Sequence, residues 1–177
     1  NRSGAKIKGA GEQNIFIEGT SSLRPIECSI FPDRIEAGTY MIASAITKGE
    51  VEVAHCIPKH LKALSLKLKD VGADVIEGES SVFVKGKYPI QPVDIKTQAY
   101  PGFATDFQAQ FIALMTLAEG SSAVNETVFE NRFMHAAELK RMGADITIEG
   151  HLAIVRGVKN LSGAPVMATD LRASASL

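Results

Sequence analysis

The sequence has little net charge, few cysteines and no long apolar run, and each shortage removes a class of function. Its 19 Lys and Arg against 20 Asp and Glu leave a formal charge of −1. That gives no field to gather nucleic acid or an anionic membrane non-specifically, so any anion site must be local. Two cysteines, Cys28 and Cys56, make neither a disulfide framework nor a zinc site by spacing and read as buried free thiols in a reducing compartment. No stretch nears the roughly 20 apolar residues that cross a bilayer, and Asn1-Arg2-Ser3-Gly4 has no signal-peptide core. No histidine pair has the helical spacing of metal ligands. A soluble, cytoplasmic protein that engages neither nucleic acid nor membrane is expected, and 45% hydrophobic content over 177 residues is enough for a core.

What the chain does contain is a repeat. A Pro-Asp or Thr-Asp pair opens a helical run at Pro32-Asp33, Thr105-Asp106 and Thr169-Asp170, while Gly4-Ala5, Gly72-Ala73-Asp74 and Gly143-Ala144-Asp145 precede alternating segments that read as hairpins. Both markers recur about every 70 residues, so one supersecondary module is used several times. In the first full module Ile35, Thr39, Ile42 and Ile46 mark a helix stopped by Gly49, and residues 50–55 a strand. Leu61, Leu64, Leu68 and Val71 then mark a second helix ended by Gly72, before a hairpin of residues 74–77 and 82–85 and a short strand at 93–96. The second module repeats this with Phe107, Phe111, Leu114 and Met115 on its helix. A strand at 122–128, a helix at 136–142, a hairpin of 146–148 and 153–155 and a strand at 165–168 follow.

The helix after each Asp is rich in small residues (Ala37, Gly38, Ala43, Ala45; Ala109, Ala113) and apolar over a wide stripe, which suits burial on most sides. The expected fold is α/β with helices inside and sheets outside. Equivalent helices side by side would gather their N-termini at one end, where unpaired N–H groups and aligned dipoles make a local anion site. Function is therefore expected near Asp33, Asp106 and Asp170. Both ends read as cut. The chain opens in what looks like the second half of a module and stops at Leu177 as a third helix should begin.

Three segments carry a resemblance: residues 105–111 (Thr-Asp-Phe-Gln-Ala-Gln-Phe), 126–135 (Glu-Thr-Val-Phe-Glu-Asn-Arg-Phe-Met-His) and 167–175 (Met-Ala-Thr-Asp-Leu-Arg-Ala-Ser-Ala). In this order, with Phe31 to Thr39, they resemble the enolpyruvyl transferases, and among them the branch that uses UDP-N-acetylglucosamine in bacterial peptidoglycan synthesis. The resemblance runs through essentially the whole chain. It implies an inside-out α/β barrel of repeated βαβαββ-type units, with residues 1–30 the tail of a first, reactive-loop domain and residues 31–177 most of a second. It also implies transfer of enolpyruvyl from phosphoenolpyruvate to the 3′-hydroxyl of UDP-N-acetylglucosamine with release of phosphate. That chemistry needs no metal or organic cofactor. The remainder of the first domain would be the partner, and the chain by itself is expected to be inactive. The reactive cysteine of the family would lie outside it.

By position in these motifs Asp106 resembles the proposed base, the carboxylate that takes the hydroxyl proton. Val128 and Phe129 resemble the lining of the sugar-nucleotide pocket, and Arg132, Asp170 and Arg172 resemble the charged groups of the cleft. Each also has a plainer reading. Asp106 and Asp170 would be helix N-caps, Val128 and Phe129 strand-end core, Arg132 and Arg172 ion-pair partners, and His135 structural. Lys59, Lys62, Lys67 and Lys69 would be a solvated helix face. Two other readings stand beside the main one: the related shikimate-pathway transferase, and a non-catalytic half domain that only binds nucleotide or packs on a partner.

Overall fold

The structure is a computed structural model that describes residues 1–12, 14–168 and 170–177. Thr169, which precedes Asp170 in the repeated signal, lies outside the described residues. The chain divides into two compact units, Asn1–Phe31 and Pro32–Leu177. In the first, β1 (Lys6–Lys8) and β2 (Phe16–Glu18) pair antiparallel with Lys6 opposite Glu18. The Asn1 side chain brackets Ile7, donating from Nδ2 to its carbonyl at 2.9 Å and accepting its N–H at 2.7 Å.

The second unit contains the repeat. Helix α1 (Arg34–Ile46) leads to β3 (Glu50–Ala54), a 3₁₀ turn at Pro58–Leu61, α2 (Lys62–Val71) and the hairpin β4 (Asp74–Glu77) and β5 (Ser81–Lys85). After β6 (Ile95–Lys96) the plan recurs as α3 (Gln108–Met115), β7 (Ser121–Asn125), α4 (Met134–Arg141), β8 (Asp145–Glu149) and β9 (Leu152–Arg156). One sheet has the order β3-β5-β4 and the other β6-β7-β9-β8, so each hairpin's second strand lies in the middle of its module's three in both. Among the described residues every ladder is antiparallel except β6 with β7.

The glycine marker has a physical cause. Gly72 and Gly143 end α2 and α4 with φ of 102° and 96°. The alanine after each bonds back to the carbonyl five residues earlier, Ala73 to Leu68 and Ala144 to Leu139, both at 3.0 Å. This is the Schellman closure, which requires a left-handed residue that glycine adopts without a Cβ penalty.

Burial follows the small-residue stripes. All eight residues of α3 are buried, and α1 turns Ile35, Ala37, Gly38, Met41, Ile42 and Ala45 inward beside it. The sheets lay one face on these helices through Val82, Val84, Val124, Ala153 and Val155. Gln110 Nε2 crosses from α3 to donate to Thr39 Oγ1 at 3.1 Å.

Several expectations are corrected. The strand at 122–128 ends at Asn125, because the N–H groups of Val128 and Phe129 bond to the Glu126 side chain. Residues 165–168 form no strand. Their segment runs along α4, with Ser162 N–H bonded to the Met142 carbonyl and Met167 N–H to Glu138 Oε2. Beyond Asp170 there is a 3₁₀ turn at Ala173–Ser176. Cys28 is exposed and only Cys56 is buried.

A Cβ on Gly38 would overlap the edge of the buried Phe107 ring and meet Leu64 Cδ2 at 2.7 Å, so Gly38→Ala should cost about 1–3 kcal/mol in chemical unfolding. His135 is only 1% exposed. Burial pushes its imidazole down to about 4, with the Arg132 charge adding to burial and Asp170 opposing it. In the unfolded chain the same group takes its proton near 6.5, so between these values the unfolded state binds more protons and stability falls as pH falls. Relative to His135→Leu, the parent protein should lose roughly 1.4 kcal/mol per pH unit across that window, read by urea unfolding at pH 7 and pH 5. Equal pH slopes in the two proteins would contradict this.

Candidate functional site

Strand alternation puts Glu126 on the same face as buried Ser122 and Val124, and a carboxylate there must find donors or lose its charge. It finds four. Oε1 accepts the Thr97 hydroxyl at 2.7 Å and the N–H groups of Val128 and Phe129 at 2.9 and 3.0 Å, and Oε2 accepts the Thr105 hydroxyl at 2.8 Å. Glu126 is 0% exposed. Burial alone would raise its pKa, but the bonds from Thr97, Phe129, Val128 and Thr105 outweigh it, and the carboxyl lies below its usual range.

From this anchor the bonds lead outward. Thr105, which gives its proton to Glu126, accepts from Arg132 Nη1 at 2.9 Å, and Arg132 Nη2 donates to Asp106 Oδ1 at 2.8 Å. The guanidinium also lies 5.0 Å from the centroid of the Phe129 ring. Asn131, just before it, has a φ of 57°, a left-handed conformation that asparagine tolerates better than most side chains. It marks the reversal in the loop that carries Arg132 back to the start of α3.

Asp106 therefore does not cap its helix. It is the second residue of a 3₁₀ turn, Thr105–Phe107, that enters α3, and neither element has a side-chain cap. Asp33 does cap α1, accepting from the N–H groups of Ile35 and Glu36, and Asp170 Oδ1 accepts from those of Arg172 and Ala173 at 2.8 and 2.9 Å. Val128 and Phe129 are not strand-end core either, being 47% and 58% exposed. With Asn125, Glu126, Thr127, Glu130 and His151 they line an open cavity of about 410 Å³.

Asp106, Val128, Phe129 and Arg132 are thus brought together. The Ala173 N–H chiefly, then the Arg172 N–H and the charge of Arg132, hold Asp170 below the usual carboxylate range against the opposing effect of burial, so Asp170 lies within the field of Arg132. Arg172 stands apart from the bonded cluster, its Nη2 3.8 Å from Asp33 Oδ2. The residues that sequence reasoning left without a role are Glu126, Thr105 and Thr97. The available signal was an acidic residue in the buried phase of an alternating strand. Among the described residues no group of three or more His, Cys, Asp or Glu is placed to hold a metal ion.

Comparison with known proteins agrees with these motifs. The chain is 58% identical over 174 residues to the UDP-N-acetylglucosamine 1-carboxyvinyltransferase of Geotalea daltonii and 58% identical over 177 residues to that of Trichlorobacter lovleyi. These alignments cover 98% and 100% of this chain and 42% of each relative, so the chain spans less than half the length of the curated relatives it matches. Among solved structures, the enolpyruvyl transferase NikO from Streptomyces tendae superposes with a TM-score of 0.81 at 28% identity, covering 98% of this chain and 42% of that one. EPSP synthase from Acinetobacter baumannii, at 20% identity and a TM-score of 0.69 over 98% of this chain and 44% of that one, shares the mixed α/β fold. The family model for EPSP synthase (3-phosphoshikimate 1-carboxyvinyltransferase) matches residues 1–177, and the chain belongs to that family.

Proposed function

We propose that this chain supplies the acceptor-binding and proton-abstracting part of an enzyme that transfers enolpyruvyl from phosphoenolpyruvate to the 3′-hydroxyl of UDP-N-acetylglucosamine. The observation that carries the reading is the Asp106–Arg132 pair, 2.8 Å apart, beside the cavity lined by Val128 and Phe129. A hydroxyl attacking the enol carbon must lose its proton, and the Asp106 carboxylate, held by a guanidinium, is an oriented acceptor for it. The methylene carbon takes up a proton to give a tetrahedral intermediate, and expulsion of phosphate with loss of a proton from the methyl group restores the double bond. The Phe129 face and the loop beside it would receive the nucleotide sugar. Asp170 and Arg172 would complete the charged rim.

In this reading three modules close an inside-out barrel with the helices within, and residues 1–30 belong to a first domain that brings the reactive loop and most of the phosphate grip. Phosphoenolpyruvate would be bound between the two domains, in the cytoplasm. The names carried by the relatives favour the sugar nucleotide over shikimate 3-phosphate as acceptor.

In the full-length protein, UDP-N-acetylglucosamine should raise the unfolding temperature and shikimate 3-phosphate should not. The reverse pattern would move the assignment to the shikimate branch. Asp106→Ala should lower kcat by at least about 100-fold while protection by the sugar nucleotide persists. A near-normal kcat in that variant would remove Asp106 as the base.

A further inference from the structure

We infer that Glu126 is a positioning residue for the transfer, fixing the aim of the Asp106–Arg132 pair through the hydroxyl of Thr105; the inference rests on the function proposed above. A hydroxyl rotor can point its single proton at only one partner. The 2.8 Å bond to Glu126 Oε2 takes the Thr105 proton, so its lone pair is what Arg132 Nη1 meets at 2.9 Å. With Nη1 fixed in this way, the planar guanidinium has its Nη2 directed at Asp106 Oδ1. The order of donors and acceptors thus runs one way from the buried carboxylate to the carboxylate at the start of α3.

The other oxygen serves a different branch. Oε1 holds Thr97 and the N–H groups of Val128 and Phe129, which fixes the cavity loop. The two branches separate in a single isosteric change. In Glu126→Gln the amide oxygen can keep the three donors at the Oε1 position, which leaves the NH₂ at the Oε2 position. Thr105 must then accept from that NH₂, and its proton, displaced from the buried carboxylate, is left either to oppose Arg132 Nη1 or to turn to a third direction that has no bonded partner among the described residues. The link to Arg132 loses its fixed donor–acceptor order while the loop branch stays bonded.

In the full-length enzyme Glu126→Gln should lower kcat by roughly 10- to 100-fold, the scale of a small misplacement of a catalytic group, with KM for UDP-N-acetylglucosamine within threefold of the parent. Thr105→Val should reproduce the kcat loss. Thr105→Ser, which restores the hydroxyl, should recover most of it. Because the path runs through Thr105, Glu126→Gln added to Thr105→Val should cost less than a further threefold. A Glu126→Gln enzyme that keeps kcat within threefold, or a double variant whose losses multiply, would overturn the inference. If Glu126→Gln does not fold, the Thr105 pair decides, since a Val variant with parental kcat refutes the path.

A readout that needs no substrate separates this inference from the functional reading. The Arg132 side-chain N–H signals in NMR spectra should be protected from solvent exchange in the parent and lose that protection in Glu126→Gln. Unchanged protection would refute the positioning of Arg132. Protection that is lost in a protein without UDP-N-acetylglucosamine turnover would uphold that positioning and reject the functional reading.

Discussion

Taking a carboxylate fully out of water is costly, of the order of several kcal/mol even after the protein relaxes, and Glu126 offsets that cost by drawing four donors from three separate stretches of chain. Thr97 follows β6, Thr105 begins the entry to α3, and Val128 and Phe129 belong to the loop after β7. No two of these stretches are adjacent in sequence, yet all three must arrive within hydrogen-bonding distance of one side chain. Thr127 reinforces the junction, donating its N–H to Thr97 Oγ1 and its hydroxyl to the Thr97 carbonyl at 2.9 and 2.6 Å. The placement of Asp106 and Arg132 depends on this junction, because both project from segments that it ties down.

The three aspartates of the repeat look equivalent in sequence and have become different objects. Asp33 stands just outside its helix in an extended conformation, φ −76° and ψ 111°, from which a carboxylate reaches the N–H groups two and three residues on. Asp170 makes the same pair of bonds. The tight turn that begins at Thr105 instead draws Asp106 one position into the helical entry, where its oxygens no longer face those groups. Its carboxylate is left for Arg132. A shift of one residue at a helix entry thus separates a structural cap from a group free to act on something outside the helix.

Periodicity made the modules readable because each element buries one face: the Leu64, Leu68 and Val71 stripe of α2, the alternation of β4 and β5, and the glycines that end α2 and α4 are local patterns with local causes. The elements that were misread are those whose partners lie far away in the chain. Residues 165–168 have strand-like composition, but their segment bonds to Met142 and Glu138 rather than to a neighbouring strand. Val128 and Phe129 are apolar and follow an alternating run, yet the Glu126 side chain captures their N–H groups and turns them out of the ladder. Motif resemblance drew attention to Asp106, Phe129 and Arg132. It could not single out Glu126, whose role follows from what surrounds it in space.

The same bonding limits what this part of the molecule can offer a ligand. Arg132 already gives Nη1 to Thr105 and Nη2 to Asp106, and Arg172 has Asp33 nearby, so an incoming phosphate would find its nearest cations already matched by carboxylates. The N–H groups at 128 and 129 are committed to Glu126 and cannot form an anion nest. The cavity itself is lined by Asn125, Thr127, Glu130 and His151 beside Val128 and Phe129, a mixed set that can both donate and accept hydrogen bonds and that includes an aromatic ring. Such a surface suits a ligand that presents hydroxyl and amide groups together with a flat ring. In a chain of nearly neutral charge, strong attraction for phosphate has to come from groups other than this cluster, whose bonding holds the Asp106 carboxylate in one orientation.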